Sequence, residues 1–121
     1  MAKRVMTVDD SRTMREMVAF TLRKAGFEVS EAEDGRKALA ALQAAPVDVV
    51  ITDLNMPNMD GVALIRALRA DARMRAVPIL MLTTESEAAK KAEGRSAGAT
   101  GWLVKPFDPE KLIDVVKRVA G

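Results

Sequence analysis

The 121-residue sequence contains no cysteine, no histidine and no tyrosine, and aromatic residues make up only 3% of it. Without cysteine, disulfides and thiolate metal sites are excluded. Without histidine, zinc catalysis, a Ser/His/Asp triad and phosphohistidine chemistry within the chain are excluded too. Any chemistry must therefore run on carboxylates, hydroxyls, lysine or a bound metal ion. No apolar run approaches the length of a membrane span, and Met1-Ala2-Lys3-Arg4 leads straight into a strand with no signal-like segment. These absences point to the cytoplasm and away from a membrane. Charge of one sign is lacking as well. The chain has 19 basic and 17 acidic residues, a net charge of +2, and the basic residues are scattered, so nucleic-acid binding is not expected.

What is present is an ordinary globular composition, 49% hydrophobic and 30% charged. At this length a single domain, residues 1–121, buries roughly two thirds of its unfolded surface. Nothing in the sequence suggests a linker, a repeat or an output domain. The hydrophobic period switches repeatedly between strand-like and helix-like. Val5-Met6-Thr7-Val8 reads as the first strand. Ser11 is a good N-cap for a helix that carries Met14, Met17, Val18, Phe20, Thr21 and Leu22 inward and stops at Gly26. Phe27 to Ala32 is the second strand. After a turn at Glu33-Asp34-Gly35, residues 37–44 form a helix with Ala38, Leu39, Ala41 and Leu42 inward.

Val47 to Thr52 is apolar almost throughout, as a central parallel strand should be. A loop rich in turn formers, residues 55–61, leads to a helix from Val62 to Ala70, with Leu64, Ile65 and Leu68 at helical spacing. Val77 to Thr83, Ser86 to Ala97 and Gly101 to Val104 are the fourth strand, fourth helix and fifth strand. Asp108-Pro109-Glu110 starts the last helix, which buries Leu112, Ile113, Val115, Val116 and Val119. The sum is (βα)5, for which a doubly wound five-stranded parallel sheet is expected. The fourth helix stands apart, because its only apolar residues are alanines and Gly94 lies inside it. A mid-helix glycine costs about 1 kcal/mol relative to alanine, so this helix is expected to be the least stable. The methionines read as core filler, apart from Met56 and Met59 in the loop.

Five polar residues, Asp9, Asp10, Asp53, Thr83 and Lys105, sit where the first, third, fourth and fifth apolar runs stop. Open parallel sheets bind ligands outside the carboxyl ends of their strands, so recurrence at that point in four runs implies one converged site. One aspartate of the Asp9-Asp10 pair could simply cap the following helix. Two together repel, and favour a cation between them. In a sheet of order 2-1-3-4-5 the first and third strands are neighbours, which brings Asp53 beside the pair. Three carboxylates suit Mg²⁺, a hard cation held by a few carboxylates plus water and phosphate. With Lys105 the formal sum of the cradle is zero, so it can accept a phosphoryl dianion. On local grounds Lys105, Thr83 and Trp102 have structural readings as well: a solvated lysine, a helix cap and a core or partly exposed aromatic.

The segments Val8-Asp9-Asp10-Ser11, residues 31–35, residues 53–61 and Val104-Lys105-Pro106-Phe107 together resemble the two-component receiver domain, over the whole chain and with highly specific joint spacing. Within that family the resemblance is to the single-domain, CheY-like chemotaxis regulators of flavodoxin-like fold. It implies that Asp53 accepts a phosphoryl group from a histidine kinase's phosphohistidine. It further implies that Asp10, Asp53 and the backbone carbonyl of Asn55 ligate Mg²⁺, with Asp9 acting through water. Lys105, ahead of a cis Lys105-Pro106 peptide, would contact the phosphoryl oxygens. Thr83 would hydrogen-bond that group and act as a switch coupled to the aromatic at position 102. Asn55 and Glu85 occupy the positions that tune autodephosphorylation. The implied partners are a CheA-like histidine kinase and, as readers, the flagellar motor switch protein or a phosphatase, with the protein acting as a monomer and catalysing only its own phosphorylation and dephosphorylation.

Two departures from the family pattern are visible. Trp102 stands where tyrosine or phenylalanine is usual, and Lys90, Lys91 and Arg95 make the fourth helix basic. A phosphate sink without a motor target is one alternative to a motor-binding switch. A haloacid-dehalogenase-like Mg²⁺ phosphohydrolase is a second, but chain order argues against it. Such enzymes carry the nucleophile on the first strand and a D-x-D motif, whereas here the acid pair comes first and Asp53-Leu54-Asn55 lacks the second aspartate.

Overall fold

Five short strands alternate with five helices along the chain. They are β1 (Arg4–Val8), α1 (Arg12–Lys24), β2 (Glu28–Ala32), α2 (Gly35–Ala44), β3 (Val49–Asp53), α3 (Gly61–Ala70), β4 (Ile79–Thr83), α4 (Ala88–Ala97), β5 (Gly101–Val104) and α5 (Pro109–Ala120). A computed structural model describes residues 2–121, the side chain of Glu85 excepted. All pairings are parallel and the strand order is β2-β1-β3-β4-β5, the expected doubly wound arrangement. No described helix is long and apolar enough to cross a membrane.

The central strands β3 and β4 are buried along their whole length, which accounts for their unbroken apolar runs. Two apolar clusters flank the sheet. One joins Met6, Val8 and Val50 to α2 and α3 through Leu42, Leu64, Ile65 and Leu68. The other joins Val5, Val49, Ile51, Leu80 and Leu82 to α1 and α5 through Val18, Leu22, Leu112 and Val116.

Helix starts follow the sequence closely. Ser11, Asp34, Asp60 and Asp108 each accept a backbone N–H of the first turn, and Pro109 occupies the start of α5. The starts of β2, β3 and β4 are later than periodicity suggests, while β1 begins one residue earlier, at Arg4. Val47 and Asp48 precede the β3 ladder, and the Asp48 carboxylate instead accepts the Arg4 N–H at 2.7 Å. Pro78 has no N–H to donate, so β4 begins at Ile79 rather than Val77.

Three inward assignments are corrected. Met17 and Phe20 are 51% and 67% exposed, because α1 turns Val18, Ala19 and Leu22 to the sheet and leaves those two beyond the edge of that stripe. Ala41 is likewise exposed on α2, where Ala38 and Leu42 do the packing. Met17 is thus not core filler, whereas the loop residues Met56 and Met59 are partly buried against the core. On α5 only Leu112 and Val116 are fully buried, with Ile113, Val115 and Val119 half-buried beside them.

In α4 the single buried residue is Gly94. A Cβ there would lie 2.2 Å from Met81 Sδ, so the glycine is what allows α4 to approach β4.

Candidate functional site

Parallel strands present their carboxyl ends along one edge, and the five polar residues converge there. The register pairs Val8 with Thr52, Asp53 with Leu82 and Thr83 with Val104, which sets the next residues side by side. One carboxylate oxygen from each of Asp9, Asp10 and Asp53 lies within 4.8 Å of the others. Lys105 Nζ stands 3.1 Å from Asp53 Oδ1 and 3.5 Å from Asp9 Oδ2. Asp9 and Asp53 are buried, Lys105 is largely so, and Asp10 faces solvent.

Asp9 is fixed from four directions. Its backbone N–H donates to Ala32 O at 3.1 Å, and its Oδ1 accepts the Ser11 N–H at 2.9 Å. Its carbonyl accepts from Arg15 Nη1 at 2.8 Å, and Lys105 reaches Oδ2. Arg15 is itself held by Glu31 at 3.2 Å. This guanidinium, invisible in the sequence pattern, anchors the turn that carries the acid pair.

Asp53 ends β3, where Oδ1 accepts the Leu54 N–H at 2.8 Å. Burial, and then the Asp9 carboxylate, push the Asp53 carboxyl above the usual aspartate value, with Lys105 pulling the other way. Burial alone would lower the Lys105 ammonium, but the Asp53 and Asp9 carboxylates outweigh it and raise its pKa. The Thr83 hydroxyl is buried at the end of β4 and has no hydrogen-bond partner among the described residues. A buried hydroxyl without a partner is uncommon and marks a place where an acceptor can be taken up. The Lys105-Pro106 peptide is cis, and Lys105 N donates to Thr83 O at 2.6 Å.

Gly61 brings α3 close to this edge. Its N–H donates to Leu54 O at 2.9 Å, and a Cβ there would fall 2.2 Å from the Asp53 carbonyl oxygen. Between Asp53 and Gly61 the loop has no regular structure, and Asn55 lies exposed at its start. The Asn55 carboxamide donates to Glu87, in the 3₁₀ turn that precedes α4. Glu87 also accepts from Thr84, through its N–H at 2.7 Å and its hydroxyl at 3.0 Å. The Thr84-to-Glu87 spacing is the signature of a capping box and was readable in the sequence. The Lys90–Asp60 ion pair at 3.0 Å had no sequence signal.

Trp102 is 41% exposed on β5, the partly exposed of its two structural readings. Lys91 Nζ and Arg95 Cζ lie 4.6 and 5.1 Å from its ring centroid, so the basic face of α4 stacks on the indole in its outward position. The Glu85 side chain lies outside what the structure describes.

Comparison with known proteins gives a consistent result. A family model described as the response regulator receiver domain matches residues 5–117. The chemotaxis protein CheY of Pseudomonas aeruginosa is 39% identical over 117 residues, 96% of this chain and 94% of the relative. CheY1 of Helicobacter pylori is 42% identical over 120 residues, 98% of this chain and 97% of the relative. Among solved structures, chemotaxis response regulator CheY4 of Vibrio cholerae superposes with a TM-score of 0.92 at 51% identity, covering 98% of this chain and 99% of that one.

Proposed function

The chain belongs to the response regulator receiver domain family, and from its likeness to whole chemotaxis regulators we propose how the site works as a phosphorylation-driven switch. The protein is a chemotaxis response regulator of two-component signalling rather than a metabolic enzyme. As a receiver it has a histidine kinase as phosphodonor and a protein target downstream. The haloacid-dehalogenase-like alternative finds no support in these matches or in the chain order of the acids.

Asp53 is the proposed phosphoacceptor. One of its carboxylate oxygens attacks the phosphorus of the kinase's phosphohistidine. A P–O bond forms as the P–N bond breaks, and the imidazole leaves with the electron pair. The observation that carries this reading is Asp53 itself, a buried carboxylate at a strand end, with Lys105 Nζ 3.1 Å from its oxygen and a second carboxylate beside it. The donor set fits Mg²⁺: three carboxylates whose oxygens lie within 4.8 Å of each other, one of them open to solvent. Asp10, Asp53 and the Asn55 carbonyl would hold the ion, with Asp9 acting through water. Bound there, Mg²⁺ neutralises charge on the phosphoryl oxygens during transfer.

The remaining residues read the product. Lys105 pairs with a new phosphoryl oxygen on Asp53. The Thr83 hydroxyl, without a partner among the described residues, donates to another and draws its turn inward. Movement of that turn makes room beneath β5 and frees Trp102 from its outward place against α4. The face of α4, β5 and α5 then differs between the two states, and a partner such as the motor switch protein binds one of them. Asn55 and Glu85 set how long the acyl phosphate lasts.

Trp102 is the only tryptophan and serves as a built-in probe. Acetyl phosphate added to the protein with Mg²⁺ should add one phosphoryl group by mass and change indole fluorescence. Both effects should vanish without Mg²⁺ and in Asp53→Asn. Wild-type protein that gains no mass under these conditions would refute phosphoacceptance. Steady turnover of phosphomonoesters would return the hydrolase reading.

A further inference from the structure

We propose that Glu87 is a positioning residue for the cation pocket: by gripping the Asn55 carboxamide it fixes the Asn55 backbone carbonyl where a divalent cation beside Asp10 and Asp53 uses it. The proposal rests on the reading of that carbonyl as a ligand.

The loop from Asn55 to Asp60 has no regular structure to hold it, and its two halves are secured differently. The far half is tied down by Asn58, whose carboxamide donates to Asp34 at 2.9 Å, and by Asp60, which caps α3. The near half has one side-chain hydrogen bond among the described residues, from Asn55 to Glu87. Glu87 can serve as an anchor because its own carboxylate is immobilised. Oε1 accepts two hydrogen bonds from Thr84, which leaves Oε2 in a set place for Asn55. Among the described residues no cation pairs with Glu87, so Oε2 is not drawn elsewhere. One turn further on, Lys90 reaches Asp60 at 3.0 Å. The start of α4 thus holds both ends of the loop that contributes the carbonyl.

Residues that orient a metal ligand typically change affinity by about tenfold or more when removed. A tether also makes a prediction that a charge effect does not: cutting it from either end should do the same thing, and cutting both ends nothing more. Asn55→Ala keeps the ligating carbonyl and removes only the carboxamide. Glu87→Gln removes the charge but keeps an oxygen for Thr84 and a carboxamide able to bond Asn55.

The test is Mg²⁺ titration of the intact, unphosphorylated chain, read by Trp102 fluorescence and by calorimetry, with melting curves to verify folding. Glu87→Ala and Asn55→Ala should each weaken Mg²⁺ binding by about tenfold. The double variant should bind no more weakly than either single one, and Glu87→Gln should match wild type. Wild-type affinity in Glu87→Ala, multiplied losses in the double variant, or Glu87→Gln as weak as Glu87→Ala would each overturn the proposal. If Glu87→Ala does not fold, wild-type affinity in Asn55→Ala overturns it alone. Wild-type protein that binds no Mg²⁺ at all would instead defeat the reading of the pocket itself.

Discussion

Asp53 is raised above the usual aspartate range, first by burial and then by Asp9, and that has a consequence for stability. A carboxyl with a raised native pKa holds its proton in the folded state at pH values where the unfolded chain has released it. Stability therefore falls as pH rises from about 4, the unfolded aspartate value, through the raised native value. Lys105 contributes in the opposite region. Its raised pKa supplies stability that is complete below about 10.4 and is lost as pH climbs through the native value. Metal-free Asp53→Asn should thus be more stable than wild type at neutral pH, with a flatter dependence on pH above 4. In a chain of this size each kcal/mol gained moves the melting temperature by about 3–6 °C. Thermal melts in chelator from pH 4 to 8 measure this, and a wild type more stable than Asp53→Asn at pH 7 would contradict it.

Among the elements, α4 is held in an unusual way. Its one fully buried residue is Gly94, Ala97 packs partly buried against the core, and its other named ties are polar or ionic: Glu87 to Asn55, Lys90 to Asp60, and Lys91 and Arg95 against Trp102. By contrast α5 buries Leu112 and Val116 in the core. Amides of α4 should therefore exchange with solvent faster than those of α5. Equal protection in hydrogen-exchange measurements would show that the polar ties anchor α4 as firmly as a core face does. This is also where sequence reading had its limits. The sequence pattern revealed every strand and α-helix, though it ran the 3₁₀ turn at Glu85–Glu87 into the fourth helix, and the strand ends revealed the five residues of the candidate site, because burial in a parallel sheet leaves a strong mark on composition. Gly94 read as a weakness when it is a contact, since only the packed structure shows Met81 beneath it. Counting Met17 and Phe20 inward made the face of α1 too wide, because exposed apolar residues, such as Phe20 at a groove beside α5, carry the same signal as core ones. Arg15 on the Asp9 carbonyl and Lys90 on Asp60 are fixed by tertiary geometry alone.

Over the whole molecule the acid cluster exists only in the folded state, because β1 and β3 must pair to bring Asp9 and Asp10 to Asp53. A cation that binds there stabilises the native chain by mass action, about 2.7 kcal/mol at a concentration one hundred times its dissociation constant. The melting temperature should rise with the logarithm of Mg²⁺ concentration above that constant, and the rise should be lost in Asp53→Asn. A melting temperature indifferent to Mg²⁺ up to tens of millimolar would count against the pocket. One pairing within this site reaches almost from end to end of the chain. Lys105 meets Asp9 across a separation of 96 residues. During synthesis, a chain whose fifth strand is still in the ribosome carries the acids without their counter-charge. The last strand to emerge thus completes the first strand's site.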